Sequence, residues 1–376
     1  MKIGIDTFGL AHGNSGLGSY LMSILKYLPE TDSSQIELFG HESDRYTYAT
    51  AKTSDYFGID IKDDIRSERS WHKKKASRFC RKREYDIAVF TDGSRLVPPK
   101  SSVFSVAIVS SILSRTFENC SFFERKRIVK NLSGMDCIIA SSMFLKKDLI
   151  RCGVKCPRIE IVHYGIDHSS FYPGNLEIFS DYADIKPFSI KKPYFIYGSR
   201  ISGPEKKHIE LIKAFTMFKE KTGLPHRLVL AGEFGACSEE VQQAAFNSSA
   251  ASDIFLTGFF PRDGYPELYR NSELCIFPSV IEGVGLPVME AMACGIPVAC
   301  TKSGALQEIA GDCATYFDSD DIESIEQSIE LIVTDEKARK KLIDSGLERA
   351  QRFSWKKAAE ETVEIIKNVY RESRGH

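Results

Sequence analysis

Short apolar runs alternate with helical patterns along the whole chain. In the first half, these runs predict strands at residues 2–7, 35–39, 85–90, 103–109, 137–140 and 159–164. A second series predicts strands at residues 194–197, 227–231, 254–257, 274–277, 297–300 and 315–317. Apolar strands that are separated by helices are typical of βα units in a parallel sheet. The pattern therefore predicts the α/β fold class.

The pattern also indicates where the domains divide. Apolar residues recur at three- and four-residue steps from Leu17 to Leu28, which predicts the first helix, and Pro29 ends it. Between residues 165 and 193, turn residues and mixed polarity replace the pattern. We therefore expect an N-terminal domain at residues 1–186 and a second domain at residues 187–353. Residues 354–376 are expected to form a helix that packs back toward the N-terminal domain.

Length and charge support two domains of different character. The chain has 376 residues, near the size at which a single hydrophobic core stops growing. Its net charge of −1 argues against a nucleic-acid-binding protein whose whole surface is basic. Residues 1–186 carry 27 Lys and Arg against 23 Asp and Glu, whereas the remainder carries 23 against 28. The N-terminal half is therefore basic (+4) and the other half acidic (−5).

No targeting segment, disulfide framework or zinc site is predicted. The first residues contain no apolar stretch typical of a signal peptide, and no window holds 18 uninterrupted apolar residues. The ten cysteines lie far apart, and the closest pair, Cys152 and Cys156, has no second Cys or His pair at metal-ligand spacing. These features predict a cytoplasmic protein.

One segment concentrates the positive charge of the N-terminal half. Trp71 and Phe79 lie among its nine basic residues, which are Arg66, Arg69, Lys73, Lys74, Lys75, Arg78, Arg81, Lys82 and Arg83. A basic segment with aromatic residues suits an anionic membrane surface. The alternative is a solvated basic helix or loop. Under the first interpretation, the protein docks peripherally on the inner face of the plasma membrane.

The segment at residues 277–293 carries the clearest chemical signal. A strand leads into a loop with Gly283 and Gly285, and Pro287 suits the first position of a new helix, which puts Glu290 in the first helical turn. Glycines allow the backbone to approach a ligand, and free N–H groups at a helix start bind phosphate. Glu282 and Glu290 flank this loop and are better suited to accept hydrogen bonds from sugar hydroxyls than to bind phosphate.

The spacing and context of these two glutamates, EGxGLPxxEAMAxGxPV, resemble the retaining glycosyltransferases of the GT-B fold, family four. The resemblance implies two Rossmann-like domains with parallel sheets that face a central cleft. It also implies that Glu290 holds the ribose hydroxyls of a nucleotide and that Glu282 lies beside the donor sugar. The donor-binding loop would comprise Gly283, Val284, Gly285 and Leu286, where Val284 replaces the Phe that is usual in the family.

Two further segments match the family by position. Arg200 and Lys207 correspond to the Arg and Lys that bind the donor diphosphate, although Lys206 is an alternative because the spacing is one residue longer than usual. Two cations at this place would stabilise the charge of the leaving diphosphate. The N-terminal glycine loop would bring Gly16 and Gly18 to the donor phosphate, with a tight turn as the alternative.

Two expectations from the family are less direct. Phe260 follows a strand at the place where the family's loop meets the nucleotide base, with core packing as the alternative. The histidine that family members often place at the end of the fourth strand is missing, and Ser110 occupies that region. Ser110, His12 and His163 are therefore the candidates to take the role of the missing histidine beside the donor sugar.

The resemblance therefore implies a retaining hexosyltransferase. Its donor would be a nucleoside-diphosphate sugar, with GDP-mannose or a UDP-sugar expected, and its acceptor a glycan or a lipid-linked glycan. The leaving diphosphate can itself take the acceptor proton, so no metal or other cofactor is required. Two alternatives remain: a degenerate nucleotide-sugar-binding protein without transfer activity, and a nucleotide-sugar epimerase.

Overall fold

The computed structural model describes residues 1–13, 15–29, 34–48, 55–174 and 181–372. The chain divides into two compact units, Met1–Gly165 with Trp355–His376, and Ile166–Ser354. The predicted boundary at residue 186 lies inside the second unit. Part of the reason is that Arg270 donates a hydrogen bond from Nη1 to the Ser170 carbonyl (2.7 Å), which ties the start of the predicted linker to the second unit. Residues 175–180 of that linker lie outside the described residues.

The first unit is built on a parallel sheet. Its described strands are β1 (Lys2–Asp6), β2 (Gln35–His41), β3 (Asp55–Ile59), β4 (Ile87–Phe90), β5 (Phe104–Val109), β6 (Cys137–Ala140) and β7 (Ile159–Ile161). They lie in the order β3-β2-β1-β4-β5-β6-β7. The chain reverses its direction of winding between β1 and β4, so the loops that follow these two strands flank a crevice at the carboxyl edge of the sheet.

Helices cover this sheet with their apolar faces. They are α1 (Gly16–Lys26), α2 (Ile65–Trp71), α3 (Ser77–Lys82), α4 (Leu113–Glu118), α5 (Phe122–Ser133) and α6 (Met143–Arg151), with a π-helical segment (His72–Ala76) between α2 and α3. In α1, the residues at helical spacing that the sequence marks as apolar, such as Tyr20, Leu21 and Ile24, are buried. Burial of this stripe is what holds a helix of this length on the sheet.

The second unit repeats the same topology. An antiparallel hairpin, β8 (Tyr182–Ile185) and β9 (Phe188–Lys191), precedes β10 (Tyr194–Gly198), β11 (Arg227–Ala231), β12 (Ile254–Gly258), β13 (Leu274–Phe277), β14 (Val298–Cys300) and β15 (Thr315–Tyr316). Apart from the hairpin, these strands are parallel, in the order β12-β11-β10-β13-β14-β15. The winding reverses between β10 and β13, which places the corresponding crevice between the loops that follow them.

The helices of the second unit are α7 (His208–Thr222), α8 (Ser238–Phe246), α9 (Tyr265–Arg270), α10 (Leu286–Ala293), α11 (Leu306–Ala310), α12 (Ile322–Thr334) and α13 (Glu336–Ala350). The last helix, α14 (Trp355–Glu372), belongs to the first unit. There the Trp355 ring lies 5.4 Å from that of Tyr164, and the Tyr20 hydroxyl is 3.3 Å from Thr362 Oγ1. These contacts fix α14 against the first unit.

The predicted α/β class with two series of parallel strands is confirmed. Each of the twelve predicted strands has an observed counterpart, with ends that differ by at most three residues. The sequence pattern missed β3, a short strand with alternating exposure, and the β8–β9 hairpin, which lies in the stretch that was predicted as a linker. Both are polar on one face, so neither forms an apolar run.

Candidate functional site

The loops after β10 and β13 meet at the carboxyl edge of the second unit's sheet. The Val280 N–H donates to the Glu205 carbonyl (3.0 Å), and Lys206 Nζ lies 3.5 Å from Glu282 Oε2. Ligands of open α/β sheets bind at such points, where the strand order reverses. The topology therefore brings Lys206 and Glu282 to the place where a nucleotide ligand is expected.

The backbone of this loop holds Glu282 in one position. The Ala305 N–H donates to the Glu282 carbonyl (2.8 Å), and the Gly285 N–H lies 3.4 Å from Glu282 Oε1. A Cβ on Gly304 would lie only 2.1 Å from that same carbonyl oxygen, so a side chain there would displace the loop. The approach of these two backbones requires glycine at position 304, whose φ is +63°.

Helix α10 begins beside this loop, as the glycine and proline pattern predicts. Gly285 has φ 78° and precedes the first helical residue, Leu286, while Pro287 occupies the first turn. Val284 and Leu286 place their backbone N–H groups close to this helix start, where anions bind. Gly283, Val284 and Leu286 are partly exposed, whereas Gly285 is buried. The loop thus has accessible backbone next to Glu282.

Glu290 lies in the second turn of α10 rather than in the first, where the sequence pattern places it. Burial raises the pKa of its carboxyl group to about 7, although the nearby Arg262 guanidinium acts in the opposite direction. Among the described residues, no group donates a hydrogen bond to this carboxylate. The carboxylate is therefore an acceptor without a donor in the part of the chain that the structure describes, which suits it to bind the hydroxyls of a ligand.

The three cations near the β10 loop differ in what they face. Arg200 is exposed and pairs weakly with Glu233 (3.7 Å). Lys206 points to Glu282, as described above. Lys207, in a left-handed backbone conformation (φ 55°), instead directs Nζ to Glu210 (3.1 Å) and Asp320 (2.5 Å), and the Asp320 carboxylate raises its pKa. Of the two lysines considered from the sequence, the structure brings Lys206 to the glycine loop.

His208 is a feature of this region that the sequence pattern does not reveal. Its ring is buried, packs on Tyr197 at a centroid distance of 4.7 Å, and has no hydrogen-bond partner for either nitrogen within the described residues. Burial and the neighbouring Lys206 lower its pKa to about 4, so it is neutral at physiological pH. Nothing in the local sequence distinguishes this histidine from a surface residue after two lysines.

Phe260 is part of the core of the second unit. Its ring is buried, stacks on Phe188 of the hairpin (5.4 Å) and contacts Tyr265 edge-on (5.2 Å). The preceding Phe259 is exposed instead. This packing favours the core interpretation of Phe260 over contact with a nucleotide base.

In the first unit, the two glycines of the N-terminal loop have different surroundings. A Cβ on Gly18 would lie 2.7 Å from the Gly13 Cα, so this position needs glycine for the turn itself. Gly16 is exposed, and a Cβ placed on it would meet no atom within 4 Å beyond its chain neighbours in the described part of the protein. The Ser15 hydroxyl caps α1 by accepting from the Gly18 N–H (3.0 Å). Open space beside a helix start suits a ligand at Gly16, whereas Gly18 supports the turn.

Ser110 and His12, two of the three sugar-side candidates, also differ in access. Ser110 follows β5, and its Oγ is buried without a hydrogen-bond partner among the described residues. The His12 ring is partly exposed, and its two nitrogens contact Asp44 (2.5 Å) and Asp63 (2.8 Å). Both partners raise the pKa of His12. Of the two, only His12 presents a polar group that solvent or a ligand can reach.

The basic segment does not present its aromatic residues to solvent. Trp71 is buried in the core of the first unit, and Phe79 packs between Phe39 (5.2 Å) and Phe57 (5.2 Å). The expectation that Trp71 and Phe79 face a membrane is therefore wrong, because the apolar side of these helices covers the sheet. The cations of the segment that solvent reaches are Arg66, Lys73, Lys74, Lys75, Arg78, Arg81 and Lys82.

Part of the chain matches a known protein family. Residues 180–349 match the family described as glycosyl transferases group 1. The O-antigen chain mannosyltransferase B of Escherichia coli is 30% identical over 164 residues, which are 44% of this chain and 43% of that protein. A serotype-specific mannosyltransferase, WbdA of Escherichia coli, is 28% identical over 203 residues, 52% of this chain and 25% of that protein. The chain thus spans less than half the length of these curated relatives.

Solved structures resemble the whole chain. The sucrose-phosphate synthase of Thermosynechococcus elongatus superposes with a TM-score of 0.74 at 17% identity, over 99% of this chain and 100% of that structure. Anabaena HepE in complex with UDP and glucose superposes with a TM-score of 0.74 at 18% identity, over 98% of this chain and 100% of that structure. The likeness establishes the architecture. The chain therefore has the GT-B fold, and its residues 180–349 match the family described as glycosyl transferases group 1.

Proposed function

We propose that this protein is a retaining glycosyltransferase that moves a hexose from a nucleoside-diphosphate sugar to a glycan or a lipid-linked glycan. The observation that carries the proposal is Glu290, a carboxylate without a donor among the described residues, on the helix that follows the glycine loop. Two hydroxyls on adjacent carbons, such as those of a ribose, match the two oxygens of such a carboxylate. Glu290 therefore serves to bind the nucleotide.

The remaining residues of the site suit the transfer step. The ammonium of Lys206, the guanidinium of Arg200 and the N–H groups at the start of α10 stabilise the negative charge that grows on the leaving diphosphate. Glu282, whose carbonyl is fixed by the Ala305 N–H, accepts hydrogen bonds from hydroxyls of the donor sugar. An oxygen of the leaving diphosphate takes the proton of the acceptor hydroxyl. The acceptor therefore attacks the sugar from the same face from which the diphosphate leaves, and the configuration at the sugar carbon is retained. This step uses no metal ion or other cofactor.

The donor we propose is GDP-mannose, with UDP-glucose as the competing candidate. The relatives that match residues of this chain include two Escherichia coli mannosyltransferases, one of which is described as acting on O-antigen chains. HepE, which shares the fold, was solved with UDP and glucose. A mannose-containing polysaccharide is accordingly the proposed product.

Thermal shift of the purified chain with GDP-, UDP-, ADP- and TDP-sugars tests donor binding, and assays of donor consumption with and without an alkyl mannoside test transfer. We expect stabilisation by GDP-mannose and consumption that depends on the acceptor. Binding without consumption would support the degenerate binding protein, and a changed sugar without acceptor would support the epimerase. A Glu290→Ala variant that binds the donor as tightly as the wild type would contradict the assignment of this site.

We also propose that the first unit docks on an anionic membrane. Phe122 and Phe123, at the start of α5, are 62% and 82% exposed, and the Lys126 ammonium lies 4.5 Å from the Phe122 ring centre. Other cations of this helix, Arg125, Arg127 and Lys130, also reach solvent. Exposed aromatic rings among cations suit the headgroup region of anionic lipid. Within the described residues, no helix is long and apolar enough to cross a bilayer.

The basic segment adjoins this helix. Arg69 of α2 lies 3.7 Å from Glu124 of α5, so the cations of α2 and α3 and the aromatic pair of α5 belong to neighbouring elements. Each cation near an anionic surface contributes about 1 kcal/mol to binding. Docking of this kind would bring the enzyme to a lipid-linked acceptor.

Flotation with vesicles of phosphatidylglycerol and phosphatidylethanolamine tests this docking, with phosphatidylcholine vesicles for comparison. We expect binding to the anionic vesicles alone and a loss of binding in the Phe122→Ser, Phe123→Ser double variant. Phe246→Ser is the matched control, because Phe246 is 79% exposed in the second unit. Equal binding to both vesicle types would contradict the proposal.

A further inference from the structure

A group of histidines and carboxylates lies in the first unit, apart from the residues assigned to the donor. His12 lies in the turn after β1, His41 ends β2, Asp63 precedes α2, and Glu68 lies within α2. These residues are far apart in the sequence and meet at the carboxyl edge of the sheet. None of them is required by the transfer step described above.

The ligand atoms of this cluster converge closely. His41 Nε2 lies 3.1 Å from Glu68 Oε1 and 3.5 Å from Asp63 Oδ1. One ligand atom each of His41, Asp63 and Glu68 can be chosen so that all three lie within 4.8 Å of one another. His12 Nε2 extends the group, 2.8 Å from Asp63 Oδ2. One imidazole nitrogen and two carboxylates thus converge, and the His12 ring lies beside one of these carboxylates.

These separations match a coordination sphere. Metal–ligand bonds of about 2.0–2.1 Å in a tetrahedron put neighbouring ligand atoms about 3.3 Å apart. The contacts from His41 to Glu68 and to Asp63, at 3.1 and 3.5 Å, lie on either side of this value. An ion at the centre would therefore take the place of the protons that now link these atoms.

Neighbouring groups orient the cluster as they do around bound metals. His12 Nδ1 contacts Asp44, whose carboxylate is only 2% exposed, and this leaves Nε2 directed at Asp63. The Gly9 N–H donates to Glu68 Oε1 (3.2 Å). Hydrogen bonds of this kind to the ligating carboxylates Asp63 and Glu68 are a usual support of a metal site, because they fix the orientation of the ligands.

The charge of the cluster also favours a cation. Asp44, Asp63 and Glu68 contribute three negative charges, and their ion pairs within the described ranges are with His12 and His41 rather than with Lys or Arg. The Arg95 guanidinium, which interacts with Glu68 electrostatically, is itself paired with Asp92. With neutral histidines, the group carries a net charge that a divalent ion would largely neutralise.

We propose that His41, Asp63 and Glu68 bind one divalent first-row transition ion, of which Zn²⁺ is the probe of choice, and that His12 orients Asp63 from outside. An imidazole with two carboxylates suits Zn²⁺ and its neighbours in the series better than Mg²⁺ or Ca²⁺, which prefer oxygen ligands. The ion links the end of β2 to the start of α2. It stabilises the first unit and takes no part in the transfer step.

Dialysis of the full chain against a chelator, followed by titration with Zn²⁺ and Co²⁺, tests the site. We expect one ion per chain, a rise in the melting temperature, and the visible absorption of four-coordinate Co²⁺. Asp63→Asn is the first variant, because Asp63 is 59% exposed and its replacement does not disturb the core. It should weaken Zn²⁺ binding at least tenfold.

Two comparisons keep the result unambiguous. His226→Gln is the matched control, since His226 pairs with Glu273 (2.9 Å) in the second unit, and it should bind Zn²⁺ as the wild type does. His12→Gln removes the imidazole that orients Asp63 and should also weaken binding. Wild-type chain that binds no ion, or Asp63→Asn and His12→Gln chains that bind Zn²⁺ with unchanged affinity, would overturn the proposal. Donor binding is measured separately, because His12 is also a sugar-side candidate.

Discussion

Replacing Glu290 with Gln should stabilise the protein at high pH and weaken nucleotide binding. The pKa of the Glu290 carboxyl is raised from 4.5 to about 7, mainly by burial. Below about pH 4.5 the group is neutral in both the folded and the unfolded chain, and it imposes no cost on folding. Between pH 4.5 and 7 the unfolded chain ionises first, so the free energy of unfolding decreases as pH rises, and the decrease is complete above pH 7.

The size of the effect follows from the pKa shift. A raise of about 2.5 units corresponds to about 3 kcal/mol at 1.36 kcal/mol per unit. Gln has the shape of the protonated acid and does not ionise, so Glu290→Gln removes this cost. In a unit of this size, about 3 kcal/mol raises the melting temperature by roughly 6–12 °C. The gain should be complete at pH 8 and fall below about 1 kcal/mol at pH 5.

Calorimetry of both proteins at pH 5 and pH 8, without ligand, measures this difference. Comparing the two pH values cancels the effect of the amide itself, which is the same at each. An equal difference in melting temperature at both pH values would show that burial does not raise the pKa of Glu290. Titration with nucleoside diphosphate should show binding weakened about 10- to 100-fold, because a charged acceptor of hydroxyl groups is lost.

Three further outcomes follow from the same geometry. In the wild type, nucleoside diphosphate should bind about tenfold more tightly at pH 8 than at pH 6, because ribose hydroxyls donate to ionised Glu290, whose pKa is about 7. Equal dissociation constants at the two pH values in calorimetric titration would contradict this prediction. Lys206→Ala should lower the rate of donor consumption about 10- to 100-fold, whereas Lys207→Ala should mainly lower stability, because it removes the ion pairs with Glu210 and Asp320. If instead Lys207→Ala slows donor consumption and Lys206→Ala does not, Lys207 is the residue that binds the diphosphate. Gly18→Ala should destabilise the chain by about 1–3 kcal/mol in urea unfolding, because its Cβ would lie 2.7 Å from Gly13 Cα. Gly16→Ala is the control and should change stability by less than about 1 kcal/mol, because its Cβ would meet no atom of the described residues within 4 Å beyond its chain neighbours. Equal effects of the two substitutions would show that the turn adjusts to a side chain at Gly18.

The sequence predicts the two sheets because their strands are buried on both faces. Segments such as 137–140 and 274–277 are apolar throughout, and their burial in parallel sheets follows directly. The glycine loop is equally visible, since Gly285 and Pro287 have conformational requirements that few other residues meet. Elements with one solvated face, such as β3 and the β8–β9 hairpin, leave a weaker signal.

The details of the site depend on geometry that the sequence does not contain. Lys206 and Lys207 are adjacent, and the left-handed backbone at Lys207 decides that they point to different carboxylates. Trp71 and Phe79 look like membrane contacts in the sequence but lie on the side of their helices that covers the sheet. The cluster around His41 is formed by residues from separate elements with no common spacing, so only the folded chain reveals it.

The anomeric configuration of the product distinguishes a retaining mannosyltransferase from every alternative considered above. The full chain would be incubated with GDP-α-mannose and an alkyl mannoside, and the new linkage followed by proton NMR. A retaining transferase yields an α-linked mannosyl product at the rate at which GDP appears. A β-linked product, or consumption of the donor that leaves the alkyl mannoside unchanged, would contradict the proposed transfer.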